Sequence, residues 1–415
     1  MLLDAVGVPG TNRKAIAALS RACGLSVEAL RYYDKHGLVP PNHELAAIAA
    51  AVGQSPIELR IRLGALDRRL LATLAANAAD IAPLLTSPAP TSHTAHHPKP
   101  DFSTKLGALH KADCLAFLRS VPSESVDLVF ADPPFNLDKL YPSKINDDLK
   151  AEQYLSWCEA WLDECVRVIR HGGSLFVWNL PKWNTSLAAF LNRKLVFRHW
   201  IAVDIKYSLP LAGRLYPSHY SLLYYTKGDR PARFHPDRLP MPVCKECMAD
   251  LVDYGGYKDK MNPAGVNLCD VWGDIPPVRH AKYKWRKEAN ELSVKLLDRV
   301  IELSTSKGDV VLDPFGGSGT TYVVAELKNR RWLGCEIGPI DGIIERLRNL
   351  DDDKSHLERI RAGYNHLFLP ETERKRKQLG KWTVGNVPKG KARSKRHDPA
   401  SRSTQRSLLL SQSED

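Results

Sequence analysis

"VVLDPFGGSGTT", residues 310–321, carries an apolar run into an aspartate, a proline and three glycines before a helical stretch opens. The residues Val310 to Leu312 favour a buried strand. Gly316, Gly317 and Gly319 permit a tight turn and a close backbone approach to a ligand. The next strand candidate, "RWLGCEI" (331–337), is tipped by Glu336, seventeen residues after Gly319. Strand, glycine turn, helix and a second strand ending in an acid make one unit of a doubly wound α/β sheet, with the acid placed for ribose hydroxyls. No lysine follows Gly319, so the loop is not of the GxxxxGK[ST] phosphate-binding kind. Asp313 at its mouth would repel phosphate and attract an ammonium group. The ligand expected here is a nucleoside bearing a cation.

The surrounding chain repeats the alternation. "VDLVFA" (126–131), "GGSLFVWNL" (172–180), "WIAVDIKYS" (200–208) and "YSLLYYTK" (220–227) predict strands. "EQYLSWCEAWLDECVRVIRHGG" (152–173) predicts a helix closed by Gly172 and Gly173, and "ELSVKLLDRVIELSTSKGD" (291–309) one closed by Gly308. Ligands of such sheets sit beyond the carboxyl ends of strands. "FADPPFNL" (130–137) lies at such an end. Pro133 and Pro134 donate no backbone hydrogen bond, so they stop the strand and stiffen a loop that holds up Asp132 and Phe135. Asp113, about twenty residues earlier and after another short strand, is placed to accept from an adenine amino group. S-adenosylmethionine, with adenosine, sulfonium and ammonium, fits the ligand described by these acids.

Before residue 105 the pattern differs. Residues 1–82 are rich in Ala and Leu at helical spacing, with Gly24 and Gly53 as stops and Ser26 and Ser55 as caps, the latter ahead of Pro56. Short helices joined by glycine turns resemble a Cro/repressor-type helix-turn-helix, and "GLSVEALRYYDKHGLV" (24–39) is also similar to the start of a MerR-type unit. Residues 83–104 read as a linker, proline-rich with Ser and His; its His93, His96 and His97 suit solvated chain better than a metal. The methyl-donor unit is bounded at 105–370, and 371–415 is expected to be a disordered basic tail. Twelve of the chain's Lys and Arg fall between Arg374 and Arg406 against one acid, so most of the net +12 sits there. Such a tail attracts polyanions through phosphate contacts. No run approaches eighteen uninterrupted apolar residues, so no membrane span is expected. The N-terminus lacks a signal layout, and eight scattered cysteines fit reduced thiols in a cytoplasmic, nucleoid-associated protein.

"ADCLAFLRSVPSESVDLVFADPPFNL" followed about 180 residues later by "DVVLDPFGGSGTTYVVAELKNRRWLGCEI" resembles the amino-group DNA methyltransferases of the β-type motif order. The resemblance covers about residues 105–350. It implies S-adenosylmethionine as methyl donor, double-stranded DNA as substrate and the N6 of adenine or the N4 of cytosine as acceptor on a flipped-out base. Asp132 then accepts a hydrogen bond from the target amine, with the carbonyl of Pro133 as the second acceptor, fixed by Pro134, and Phe135 as the stacking surface. Asp313, Phe315, Gly317, Gly319 and Thr320 match the cofactor loop, Glu336 the ribose acid and Asp113 the adenine contact. No metal is implied. The strand edge "HYSLLYYTKG" (219–228) corresponds to the lining of the target-base pocket. An aspartate at 132 favours adenine, because cytosine-N4 members more often open this loop with serine. Two departures stand out: Phe135 replaces the commoner tyrosine, and "EANELS" (288–293) stands where relatives carry H-P-T-Q-K-P, leaving Asn290 as a candidate for the methionine carboxylate.

The family places target recognition at about 228–287, here irregular and studded with Arg, Lys and aromatics suited to base edges. Its Cys244-x-x-Cys247 lacks two further zinc ligands at matching spacing beyond Cys269, His235 and His280, so paired buried thiols are expected. A homodimer through the first unit and a companion restriction endonuclease belong to the same expectation. The alternatives are a helix-turn-helix regulator with secondary methyltransferase activity, or methylation of RNA or of a protein glutamine amide.

Overall fold

The structure, a computed structural model, describes residues 1–85, 99–137, 149–204, 212–213, 215, 218–252, 254, 257–276 and 291–387. They fall into two compact units, Met1–His93 and Thr94–Asp415.

The first unit is helical: α1 (Leu2–Ala5), α2 (Arg13–Cys23), α3 (Val27–His36), α4 (Asn42–Ala51), α5 (Pro56–Arg62), α6 (Arg68–Ala76) and α7 (Ala78–Leu85). The side chains of Asn12, Ser26 and Ser55 accept from Ala15, Ala29 and Glu58 amides, satisfying donors that a helix start leaves orphaned. Gly24 and Gly37 close α2 and α3 in the left-handed conformation. Leu2, Ile16, Leu30, Leu45, Ile48 and Leu59 form its core. Pro83 lies inside α7, so helix continues past the expected start of the linker. His93, His96 and His97 lie outside the described residues.

The second unit runs β1 (Phe102–Ser103), β2 (Gly107–Lys111), α8 (Cys114–Ser120), β3 (Val126–Ala131), α9 (Ala151–Val168), β4 (Ile169–Asn179), α10 (Pro181–Leu191), β5 (Val196–Asp204) and β6 (His219–Thr226). It continues with β7 (Arg238–Leu239), β8 (Val266–Asn267), β9 (Val271–Trp272), α11 (Val294–Ser304), β10 (Val310–Asp313), α12 (Thr320–Leu327), β11 (Arg331–Glu336), α13 (Asp341–Arg348), α14 (Asp351–Arg361) and α15 (Pro370–Gln378). Nine strands pair in the order β1-β2-β11-β10-β3-β4-β6-β5-β9. The block β2-β11-β10-β3-β4 is parallel, and β6 runs antiparallel to both β4 and β5. "VDLVFA" is buried throughout, as a strand covered on both faces must be. Leu128 and Phe130 belong to the core cluster that holds Leu297, Val300 and Val323, while Val129 and Ala131 belong to the one that holds Phe117, Trp161 and Leu162. That alternation is the two-residue period of a strand.

Three expectations are corrected. The helix expected over 152–173 ends at Val168, and Ile169–Gly173 already belong to β4. Gly172 donates to the Lys227 carbonyl at 2.6 Å, and a Cβ on it would stand 2.8 Å from that of Ala232. The glycines therefore serve close packing in the sheet rather than a helix stop. The tail is folded at its start. α15 docks through Arg376, which is fully buried with its guanidinium over the Phe368 and Trp382 rings and bonded to Asp250 at 3.0 Å. Residues 388–415 lie outside the described ones. The expected buried thiol pair is not buried: Cys247 is exposed and Cys244 half-buried at the tip of a small hairpin closed by the Cys244 amide on the Ala249 carbonyl. His280 lies outside the described residues, among which no three candidate ligands gather.

Candidate active site

β3 and β10 are parallel neighbours, with Val311 opposite Leu128 and Leu312 opposite Val129. Pairing across that span sets the two proline loops side by side at one edge of the sheet. β11 lies beyond β10 with Gly334 opposite Asp313, and β2 beyond β11 with Lys111 opposite Glu336. In sheet order, the carboxyl ends of β3, β10, β11 and β2 thus carry Asp132, Asp313, Glu336 and Asp113. Four carboxylates line one edge.

Each is held differently. Asp313 is 2% exposed; its Oδ1 accepts from the Phe315 amide at 2.9 Å and its Oδ2 from the Thr321 hydroxyl at 2.5 Å. Burial pushes its carboxyl up to about 7, and the Glu336 charge adds to the push against those two hydrogen bonds. Asp132 reaches the surface in part but is hemmed in by protein; burial, then the charge of Asp313, raises its carboxyl well above the usual range. No described group donates to it. Glu336 braces the glycine loop, accepting from the Gly317 amide at 2.8 Å and the Gly338 amide at 2.7 Å. Asp113 is exposed and caps α8 through Oδ1, which accepts from the Leu115 and Ala116 amides. Its Oδ2 takes no bond from a described residue.

The glycine loop divides into a packed side and an open side. A Cβ on Gly319 (φ 78°) would fall 2.7 Å from Ile343, and one on Gly316 would fall 2.9 Å from the Tyr322 hydroxyl. For Gly317 (φ 55°), no described atom would stand nearer to such a Cβ than the Phe315 carbonyl at 3.8 Å. The Phe315 ring turns away and packs edge-on against Trp161 at 5.1 Å. Thr320 shares hydrogen bonds with Ser318 and with the buried guanidinium of Arg346.

The "DPPF" loop is fixed by groups that the sequence reading missed. The Tyr154 hydroxyl of α9 donates to the Pro134 carbonyl at 2.6 Å and accepts from Asn179 at 3.0 Å, and Trp183 Nε1 of α10 donates to the Phe135 carbonyl at 2.7 Å. The two carbonyls that follow are tied, whereas the Pro133 carbonyl accepts from no described residue. Asn136, at φ 52°, clasps both the amide and the carbonyl of Leu149. The Phe135 ring is 8% exposed and tilted on Tyr220 at 5.7 Å; Tyr220 in turn meets Trp178 at 5.0 Å. The β6 end therefore flanks the loop. The sequence predicted a helix here, and only knowledge of its neighbour would have singled out Tyr154. Asn290 and residues 277–289 lie outside the described residues.

Tyr154→Phe is expected to slow turnover about tenfold with cofactor affinity unchanged, because it frees the Pro134 peptide while sparing the glycine loop. It also strands the Asn179 amide, which costs about 1–3 kcal/mol. Single-turnover rates and calorimetric titration with cofactor check the two halves.

The profile of the N6/N4 DNA methylase family matches residues 126–340, and that of MerR family regulatory proteins matches residues 16–46. The chain is 46% identical to Type II methyltransferase M.BamHI of Bacillus amyloliquefaciens, over 90% of this chain and 89% of that one. It is 30% identical to DNA adenine methyltransferase YhdJ of Escherichia coli, over 60% of this chain and 84% of the other. The solved PvuII DNA methyltransferase (cytosine-N4-specific) aligns at TM-score 0.46 and 20% identity, over 64% and 94% of the two chains.

Proposed function

This chain belongs to the N6/N4 DNA methylase family, a DNA methyltransferase that draws on S-adenosylmethionine, and from that premise we propose which of its residues do the work and on which base. The supporting observation is the single row of acids at adjoining strand ends, beside a loop whose Pro133 carbonyl accepts from no described residue.

The site suits the cofactor on its own chemistry. Asp313 is a buried carboxyl with no cation beside it among the described residues, matched to an ammonium group. Among the described residues nothing crowds the outer face of Gly317, and none bonds the second carboxylate oxygen of Asp113. Asp313, Gly317, Glu336 and Asp113 would hold it, with Phe315, Gly319 and Thr320 shaping the loop from behind. When bound, S-adenosylmethionine supplies an electrophilic methyl group. The chain's own part is positioning and proton handling. Asp132 and the Pro133 carbonyl accept the two hydrogens of an exocyclic amine, which turns the nitrogen lone pair toward the cofactor side. Asp132 then takes the proton that the amine must shed. Pairing Asp313 with a cation cancels the charge that Asp132 feels, so Asp132 ionises more readily. Phe135, beside Tyr220 and Trp178, supplies an apolar face for the base.

We assign the amine to adenine N6. The aspartate opening the loop supports this, as does the adenine enzyme among the relatives. DNA from a strain expressing the protein, digested and resolved by mass spectrometry, is expected to contain N6-methyladenine absent from the parent strain. N4-methylcytosine in its place would move the assignment to the pyrimidine amine while keeping the loop's role. Neither base would overturn the reading.

A further inference from the structure

The resemblance implies a polar H-P-T-Q-K-P sequence before the glycine loop, and this chain lacks it. In the "EANELS" stretch that replaces it, Glu291 is buried, its side chain 3% exposed and paired at 3.1 Å with Arg346, which is itself 1% exposed. Arg346 comes from α13, beyond the far side of the loop in sequence. One edge of its guanidinium is held by Asp353, through Nε at 2.9 Å and Nη2 at 2.7 Å. That fork fixes the plane. The remaining nitrogen, Nη1, reaches Glu291 at 3.1 Å, the Ser318 carbonyl at 3.2 Å and the Thr320 hydroxyl at 2.9 Å. Ser318 and Thr320 flank Gly319, the left-handed residue at which the loop turns into α12.

We infer that Glu291 and Arg346 form a positioning clamp that holds the glycine loop in its cofactor-binding shape. Burying an ion triad is costly, and packing alone is served as well by apolar side chains of similar volume. What apolar groups cannot do is bond the Ser318 carbonyl and the Thr320 hydroxyl, one on each side of Gly319, at once. Asp353 orients the guanidinium, and Glu291 ties it to the residues leading into α11, whose cap is Ser293. The second carboxylate balances the remaining charge and stops Nη1 from drifting off the loop. The inference rests on reading the loop as the cofactor site.

Glu291→Gln in the full chain keeps an acceptor and the volume but removes the charge. It is expected to weaken S-adenosylmethionine binding about tenfold by calorimetry, with the KM for DNA unchanged. In the free protein, amide hydrogen exchange at 316–320 is expected to quicken. Glu291→Asp should recover part of both effects. A lowered Tm with unchanged cofactor affinity and unchanged loop exchange would show a merely structural ion pair and overturn the clamp. Should the Gln variant not fold, Thr320→Val removes one acceptor of Arg346 and carries the same expectation. Failure of the wild type itself to bind the cofactor would instead refute the reading of the site, while loop exchange would still report on the clamp.

Discussion

Asp132→Asn is expected to lower methyl transfer about a thousandfold while leaving cofactor affinity within a few-fold of the wild type. The amide keeps the size and one acceptor oxygen but cannot take the proton that the attacking amine must lose. The stability change separates this from damage to the fold. Burial and Asp313 raise the folded-state carboxyl of Asp132, so ionising it costs stability as pH rises through that raised value, and that cost persists above it. A neutral amide escapes the cost, so the variant's Tm at pH 8 should match or exceed the wild type's while activity collapses. In the wild type, turnover should climb with pH as Asp132 ionises, and that limb should vanish in the variant. Single-turnover kinetics and thermal melts on the same preparations supply both readouts. Wild-type rates in the variant would remove Asp132 from the chemistry.

The second large effect belongs to Asp313. Its folded carboxyl lies near 7 against an ordinary 3.8. The unprotonated form is therefore disfavoured by about 4 kcal/mol in the free protein. Below the unfolded value both states are protonated and stability is whole. Between about pH 4 and pH 7 the unfolded chain ionises first, so this group's share of stability falls, and above pH 7 the loss is complete. A cation bound beside Asp313 favours the ionised form. Cofactor binding at pH 6 should therefore release close to one proton, falling toward none by pH 8.5, and affinity should rise with pH up to about 7. Calorimetry in two buffers of different ionisation enthalpy reads the proton directly. Asp313→Asn should abolish the release and weaken cofactor binding by at least about a hundredfold, the scale expected when one partner of a buried pair is removed. Buffer-independent heats in the wild type at pH 6 would show that Asp313 meets no cation.

The chemistry-bearing loops were legible in the sequence because local rules write them: prolines that stop a strand, glycines that turn it, an acid at a strand tip. Their side-by-side placement was not. β3 and β10 pair across more than half of the second unit, and no local pattern encodes which strand neighbours which. Non-local contacts also explain the residues missed. Tyr154 and Trp183 look like ordinary apolar-face aromatics until the carbonyls of Pro134 and Phe135 are found beneath them. Arg346 reads as one more charge on an amphipathic helix, yet it is buried between two carboxylates and the loop. Glu336 was expected to hold ribose, and the structure adds a bracing role on the Gly317 and Gly338 amides. Asp113 was read for adenine and turns out to spend one oxygen on a helix cap. Glycine misled once, since Gly172 and Gly173 carry the same local signature whether they stop a helix or let another backbone approach a strand.

The central claim is that this row of carboxylates and the "DPPF" loop move a methyl group onto an exocyclic amine of DNA. Purified protein, given unmethylated DNA and S-adenosylmethionine labelled in its methyl group, tests it in one assay once the DNA is digested and its nucleosides are separated. All label is expected in an amino-methylated nucleoside, N6-methyladenosine of the deoxy series by our assignment, with about a thousandfold slower incorporation when Asp132→Asn replaces the wild type. Label in 5-methylcytosine, or equal label from the variant, would contradict the account.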